Sequence, residues 1–319
     1  MQARCTCLRQ ALLWHCPKQQ VSRPVAALST SAEYTGPAEP RPPRFYVPSS
    51  LAEVTAGSVL RLPAEEARHA AKTLRLRPGD AVELCDGRGF TLVAELGAVD
   101  RDGAGAVATS APTQAERTGW QWEVACACGS LKGGRSDWLV EKCAELGAAT
   151  FTPLLTERSP TIGGGGGDEG RAHSSKRPGR RRGSGSGDGG DDEDPAGGSG
   201  REGRWARVAT AAMKQCLRPH ALSLAAPASV GQLCNRIRGA DAALVATGGA
   251  PPLAEVAAAL PRGQPPRHGI LCIGPEGDWT PQELAALVAA GARPVGLGDL
   301  RLRAETAAVA LLSYVRLAL

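Results

Sequence analysis

The stretch ILCIGPEGDWTPQEL (Ile270–Leu284) decides the fold. Four consecutive apolar residues, Ile270 to Ile273, have the character of a buried strand. They run directly into Gly274-Pro275-Glu276-Gly277, which is turn chemistry, and Gly277 is expected at positive φ. A helix starts next. Thr280 is the N-cap, Pro281 takes the first helical position, Glu283 completes a capping box, and Gly291 stops the helix. A strand that ends in a tight glycine turn and feeds a helix belongs to an open parallel sheet. In such sheets ligands collect beyond the carboxyl ends of the strands.

The same rhythm extends to both sides. Upstream, WEVACAC (122–128) reads as a strand and SDWLVEKCAELG (136–147) as a helix. Ser136 or Asp137 can cap that helix, Leu139, Cys143 and Leu146 form its apolar stripe, and Gly147 ends it. FTPLL (151–155) is a strand and RWARVATAAMKQCL (204–217) a helix. Then come AALVATGG (242–249), a strand running into a glycine pair, and the helical PLAEVAAAL (252–260). RPVGLGD (293–299) is a last short strand and turn, and ETAAVALLSYVRLAL (305–319) a terminal apolar helix. Strand–helix alternation from about residue 117 to 319 predicts a mostly parallel sheet covered by helices, an α/β domain.

Residues 44–116 follow a different rule. RFYV (44–47), SVLRL (58–62), AVELC (81–85) and FTLVAEL (90–96) are strand signals, separated by the turns RPGD and DGRG. One helix, AEEARHAAKTL (64–74), interrupts them. This predicts a small β-barrel-like domain.

Two segments do not read as fold. Residues 1–43 carry Arg4, Arg9, Lys18, Arg23 and Arg41 against only Glu33 and Glu39. That composition reads as an organellar transit peptide, chloroplast favoured and mitochondrion the alternative; an ordinary disordered tail is the competing reading. Residues 160–203 interrupt the α/β domain with a glycine-rich run. It has six basic residues in 171–182 and five acidic ones in 188–194. Too little of it is apolar to join a core, so it reads as a disordered insertion. Deleting 162–202 is expected to leave a folded, active protein. A fall in melting temperature of more than about 5 °C, roughly 1 kcal/mol or more, would contradict this.

The chain has 319 residues, 42% of them hydrophobic, enough for two domains. A net charge of +5 permits an anionic partner without requiring one. The ten cysteines form no C-x-x-C pair, and Cys126 and Cys128 lie on one strand face without a neighbouring histidine. Buried free thiols, not a metal site, are expected. No run of 18 apolar residues predicts a membrane span.

Three strand ends carry the candidate site: VATGG (245–249), IGPEG (273–277) and LGDLRLRAETA (297–307). None is a G-x-G-x-x-G or a P-loop, which disfavours a dinucleotide or triphosphate. Together they can wall one pocket with free backbone N–H groups.

These residues carry a resemblance. RFYVP, ARHAAKTLRLRPGD, KGGRSDWLVEKCAELGA, PLLTERS, RWARVATAAMKQCLR, IGPEGDWTPQEL and LGDLRLRAETA resemble, in order, the motifs of the RsmE-like 16S ribosomal RNA (uracil-N3)-methyltransferases. The resemblance implies an N-terminal PUA-like β-barrel that binds RNA and a SPOUT methyltransferase domain with a C-terminal trefoil knot. It implies S-adenosyl-L-methionine as cofactor and a homodimer acting on a uridine of small-subunit rRNA in an assembled ribosomal particle. Cofactor-binding residues are then Thr247, Gly248, Gly249, Ile273, Gly274, Pro275, Glu276, Gly277, Leu297, Gly298, Leu302, Arg303 and Thr306. The catalytic candidates are Arg303, to stabilise a uracil anion, and Glu305, to take the N3 proton. The structural alternative is that Glu305 caps the terminal helix and pairs with Arg303. RNA-binding candidates are Arg44, Arg68, His69, Arg75, Arg77, Lys132 and Arg135, each of which is otherwise a solvated charge. The sequence departs from the family pattern at Ala304, where threonine is usual, at Cys216, and in Asp278-Trp279. A catalytically silent rRNA-binding assembly factor, or an enzyme acting on another RNA, are the competing functions.

Overall fold

The computed structural model describes residues 41–129, 131, 134–161, 200–263 and 266–319. The transit-peptide reading falls almost wholly outside the described residues, as does most of the expected insertion.

The first sheet has six strands: β1 (Arg44–Tyr46), β2 (Val59–Pro63), β3 (Ala81–Cys85), β4 (Phe90–Asp100), β5 (Gly103–Ala108) and β6 (Thr113–Gln114). Their order is β1-β3-β4-β5-β2, with β6 on β4. The β1–β3 pairing is parallel and the others are antiparallel. Phe45, Leu62, Leu84, Leu92 and Leu96 fill its core. The sequence signals missed β5, whose residues are Gly103-Ala-Gly-Ala-Val-Ala108. Glycine and alanine have little strand propensity of their own. They serve here by letting backbones close up: a Cβ on Gly103 would lie 2.2 Å from the Leu62 carbonyl oxygen of β2.

The single helix expected over 64–74 is instead α1 (Ala64–Arg68) continued by a π-helical turn, His69–Thr73. The wider turn keeps both Ala67 and Ala70 in the core while Arg68, His69 and Lys72 stay outside.

The second sheet has seven strands, and every pairing in it is parallel. They are β7 (Trp120–Cys126), β8 (Thr150–Leu155), β9 (Ser223–Leu224), β10 (Ala228–Ser229), β11 (Ala242–Ala246), β12 (Arg267–Ile273) and β13 (Arg293–Val295). The order is β10-β8-β7-β12-β11-β13, with β9 on β8. One face carries α2 (Arg135–Glu145), α3 (Arg201–Gln215), α5 (Leu253–Ala258) and α7 (Ala304–Ala318), around Trp122, Leu139, Phe151, Trp205 and Leu311. The other carries α4 (Val230–Ile237) and α6 (Pro281–Ala289), around Leu233, Ile270 and Leu287. The chain therefore leaves edge strand β13 from the α6 face and returns as α7 on the opposite face. This path is consistent with the trefoil knot that the resemblance implies.

Local chemistry sets the helix ends. The capping box of α6 forms as expected, with Glu283 N donating to Thr280 Oγ1 at 3.3 Å and Thr280 N to Glu283 Oε2 at 3.0 Å. Helix α2 differs. It starts at Arg135 behind Gly134 at φ 81°, so neither Ser136 nor Asp137 caps it. Asp137 instead accepts from Trp205 Nε1 at 3.0 Å, tying α2 to α3. Helix α3 begins at Arg201, three residues inside the expected insertion, so the deletion proposed above is best ended at residue 199.

The two sheets are laced together. Gly89 N donates to Pro219 O at 3.0 Å and Ala221 N to Gly87 O at 2.8 Å. Arg44 donates to Glu83 Oε2 at 2.7 Å and to the Arg218 carbonyl at 3.1 Å.

Candidate active site

Strands β12, β11 and β13 are neighbours, and their ends are level: Ala246 pairs with both Ile273 and Val295. Three turns therefore leave the sheet side by side. Together with Ala304 and Ala307 of α7 they enclose a cavity of about 800 Å³, within the range of small-molecule sites. All the sequence-predicted cofactor residues line it except Arg303 and Thr306, which are exposed outside it.

The turns are built for close approach. Gly249 (φ 71°) and Gly298 (φ 102°) take left-handed backbone, and nothing lies within 4 Å of where their Cβ atoms would point. Ile273, Pro275, Leu297 and Leu302 supply apolar walls. Open backbone beside an apolar wall fits an adenosine-type ligand: the base needs flat apolar cover, and its polar edge needs main-chain groups.

In the IGPEG turn the left-handed residue is Asp278 (φ 65°), not Gly277 as expected. Its Oδ1 accepts from Trp279 N at 2.8 Å, the local side-chain bond that makes such a conformation tolerable. Trp279 is buried, and its Nε1 donates to the Ala246 carbonyl at 3.0 Å, bracing the end of β11 against the β12 turn.

Three arginines converge on this turn. Arg158 donates to the carbonyls of Gly277 and Asp278, and Arg301 to that of Glu276. Arg135 bridges two carboxylates, Glu276 Oε1 and Glu305 Oε1, each at 3.2 Å. The bond that Arg135 donates to Glu305, against some desolvation and aided by Glu276, holds the Arg135 pKa above its ordinary value. Glu305 is buried at 6% exposure, and among the described residues its Oε2 has no hydrogen-bond partner. Sequence reading missed Arg158 and Arg301, although both lie inside matched motifs, PLLTERS and LGDLRLRAETA.

The remaining candidates separate. Arg303 is the N-cap residue of α7 and is exposed, and the Arg303–Glu305 pairing expected on the structural alternative is replaced by Arg135–Glu305. Arg135, expected on RNA phosphate, faces carboxylates instead. Arg44 has 5% of its side chain exposed and is committed to Glu83 and to the Arg218 carbonyl of the other domain. Arg68, His69, Arg75 and Arg77 are exposed on the small domain, and Lys132 lies outside the described residues.

Cys126 and Cys128 are free and buried. Burial pushes the Cys128 thiol up to about 11 and Cys126 further above its usual value, which makes both inert as nucleophiles. Among the described residues no group of three or more His, Cys, Asp or Glu could hold a metal, and no helix is long and apolar enough to cross a membrane.

A parallel sheet with a cavity at three adjacent strand ends has the form of a small-molecule site. The family model described as an RNA methyltransferase domain matches residues 118–165 and 196–316, and that of an RNA methyltransferase PUA domain matches 62–106. The chain belongs to the RsmE-type RNA methyltransferase family. It is 28% identical over 270 residues to ribosomal RNA small subunit methyltransferase E of Synechocystis sp., covering 84% of this chain and 75% of the relative. The Bacillus subtilis enzyme of the same name is 24% identical, covering 85% and 95%. A methyltransferase from Legionella pneumophila, solved with its bound cofactor S-adenosylmethionine, superposes with a TM-score of 0.64 at 26% identity, over 87% of this chain and 98% of that one.

Proposed function

We propose that this protein transfers a methyl group from S-adenosylmethionine to N3 of a uridine in small-subunit ribosomal RNA, within an assembled particle and inside an organelle. The observation that carries the reading is the buried Glu305 carboxylate. Glu305 follows Ala304, which lines the cavity, and is held by Arg135, which also pairs with Glu276 of the turn after β12.

When bound, the cofactor supplies an electrophilic methyl on a sulfonium. The chain's own residues must do the rest. Uracil N3 carries a proton at neutral pH, so the ring becomes nucleophilic only as that proton leaves. Glu305 Oε1 is fixed by Arg135, which leaves Oε2 as the oxygen to take the proton. Arg135 also places positive charge where the uracil anion develops. The turns after β11, β12 and β13 orient the reactants, the main source of rate in a reaction with one proton transfer. Ala304 lines the cavity where the family pattern has a hydroxyl, so that contact is absent.

A homodimer is supported by apolar residues left exposed on two helices that pack side by side: Trp138 of α2, and Tyr314 and Leu317 of α7. The organellar assignment rests on the N-terminal sequence.

Two measurements test the reading together. Calorimetry should show S-adenosylmethionine binding to the purified protein, and mapping of organellar small-subunit rRNA from cells lacking it should show one 3-methyluridine gone. Binding without that loss points to another RNA. No binding at all points to a silent assembly factor.

A further inference from the structure

A second cavity, of about 680 Å³, shares no residue with the first. It is a groove between the small β domain and the methyltransferase domain. One wall is the end of α1, which presents Arg68, and the π-helical turn after it, which presents His69 and Lys72. The other is α3, which presents Ala211 and Lys214. π-turns are rare and concentrate at functional sites, because the extra residue re-aims side chains. Here it sets His69 and Lys72 on one rim with Arg68 of α1.

The groove's chemistry is that of a nucleotide. Arg68 and Lys72 are exposed, and neither forms an ion pair with another described residue, so both can meet phosphate. The exposed His69 ring is braced by Phe45 in an edge contact, centroids 6.3 Å apart at 66°, which fixes a flat surface for stacking. At the inner end Lys214 donates to Glu66 Oε1. Glu66 is 7% exposed, and among the described residues its Oε2 has no partner. An acceptor beside an ammonium donor matches a nucleobase edge, which sets an N–H next to a carbonyl or ring nitrogen.

We propose that this groove is a second RNA subsite that takes one unstacked nucleotide away from the methylated base. Its phosphate lies between Arg68 and Lys72, its ring on His69, and its edge on Glu66 and Lys214. This rests on the reading above that the substrate is ribosomal RNA. Because both domains build the groove and main-chain bonds lace them together, its position relative to the cofactor cavity is fixed by the fold. It therefore acts as a ruler that admits only RNA presenting two unstacked nucleotides at the right separation. Such recognition of splayed bases by flat rings and basic side chains is how single-stranded RNA is read.

The test uses full-length protein and small ribosomal subunits purified from a bacterium deleted for its own enzyme of this family. Ala211→Trp fills the groove from an exposed helical position, and Lys72→Glu reverses its rim. Arg262→Glu, exposed and outside the groove, is the charge control. Both groove variants should bind the particle at least about 10-fold more weakly, and Lys72→Glu should lower the slope of log affinity against log salt by about 1. Cofactor affinity and melting temperature should stay unchanged, and the control should match wild type. Uridine and adenosine monophosphates should not compete at micromolar concentration; if they do, the groove is a free-nucleotide site and the proposal fails. It also fails if both variants bind the particle like wild type. If wild type itself binds no particle while still binding cofactor, the ribosomal reading fails first, a result distinct from either.

Discussion

Gly274→Val should abolish S-adenosylmethionine binding, weakening it by at least about 100-fold, or about 2.7 kcal/mol, while the first sheet stays folded. A Cβ at Gly274 would lie 2.9 Å from Cε2 and 3.0 Å from Nε1 of Trp279. That ring cannot swing away like a lysine tip. It is 5% exposed, and its Nε1 is bonded to Ala246 O at the end of β11. A branched side chain must push the indole, break that bond and spread two of the three turns that wall the cavity. Overpacking of this kind costs roughly 1–3 kcal/mol, and the loss falls on the strand ends that hold the ligand. Gly277→Ala is the contrast. Gly277 does not need left-handed backbone, and its Cβ would meet only the Arg158 side chain, Cδ at 3.2 Å and Cβ at 3.8 Å, whose methylenes can shift while the guanidinium stays on the Gly277 and Asp278 carbonyls. It should bind within about threefold of wild type, since only side-chain adjustment is required. Calorimetry on both variants decides the point. Normal binding by Gly274→Val would place the pocket elsewhere, and an equal loss in both would mean that the whole turn, not the Trp279 brace, holds the ligand.

The contrast between these two glycines shows what sequence could and could not tell. The run from Ile270 to Leu284 was legible because its chemistry is local: a capping box needs Thr280 and Glu283 three residues apart, and a buried strand needs a short apolar run. The three strand ends were legible for the same reason. Which glycine is indispensable was not, since it depends on Trp279 folding back over Gly274 and on Asp278 taking the left-handed turn. A similar limit governs Gly269, where a Cβ would lie 2.2 Å from the Trp122 ring on the neighbouring strand. Charged residues fared worst. Arg44, Arg135 and Arg158 look alike in sequence, as basic residues in matched motifs. The fold gives Arg44 to Glu83, Arg135 to two carboxylates, and Arg158 to the carbonyls of Gly277 and Asp278. The partners of Arg135 lie 141 and 170 residues away, a separation that no periodicity reports.

That long-range bridge gives the catalytic prediction its form. Glu305→Gln should slow single-turnover methyl transfer by about 10²-fold or more at neutral pH, the range for removing a positioned general base. Glutamine keeps the size and leaves an oxygen to accept from Arg135, so the fold and the cofactor affinity should hold. The deficit should be largest at low pH, where a uracil N3 proton is least often lost to solvent. It should shrink as pH rises, because the spontaneous anion then replaces the one the carboxylate makes. Arg135→Ala should be slow for a different reason. It releases both Glu276 and Glu305, so cofactor affinity and rate should fall together. Arg303→Ala is the discriminating third variant. Sequence reading put the anion-stabilising charge at Arg303, but that side chain is exposed and outside the cavity. If Arg135 carries the charge, Arg303→Ala should keep most of the rate. Single-turnover rates across pH, on small subunits lacking the modification, separate the cases. A wild-type to Glu305→Gln ratio that is flat across pH would remove Glu305 as the base and leave it an anchor for Arg135. A loss in Arg303→Ala exceeding that in Arg135→Ala would mean that the loop before α7 moves inward when RNA binds.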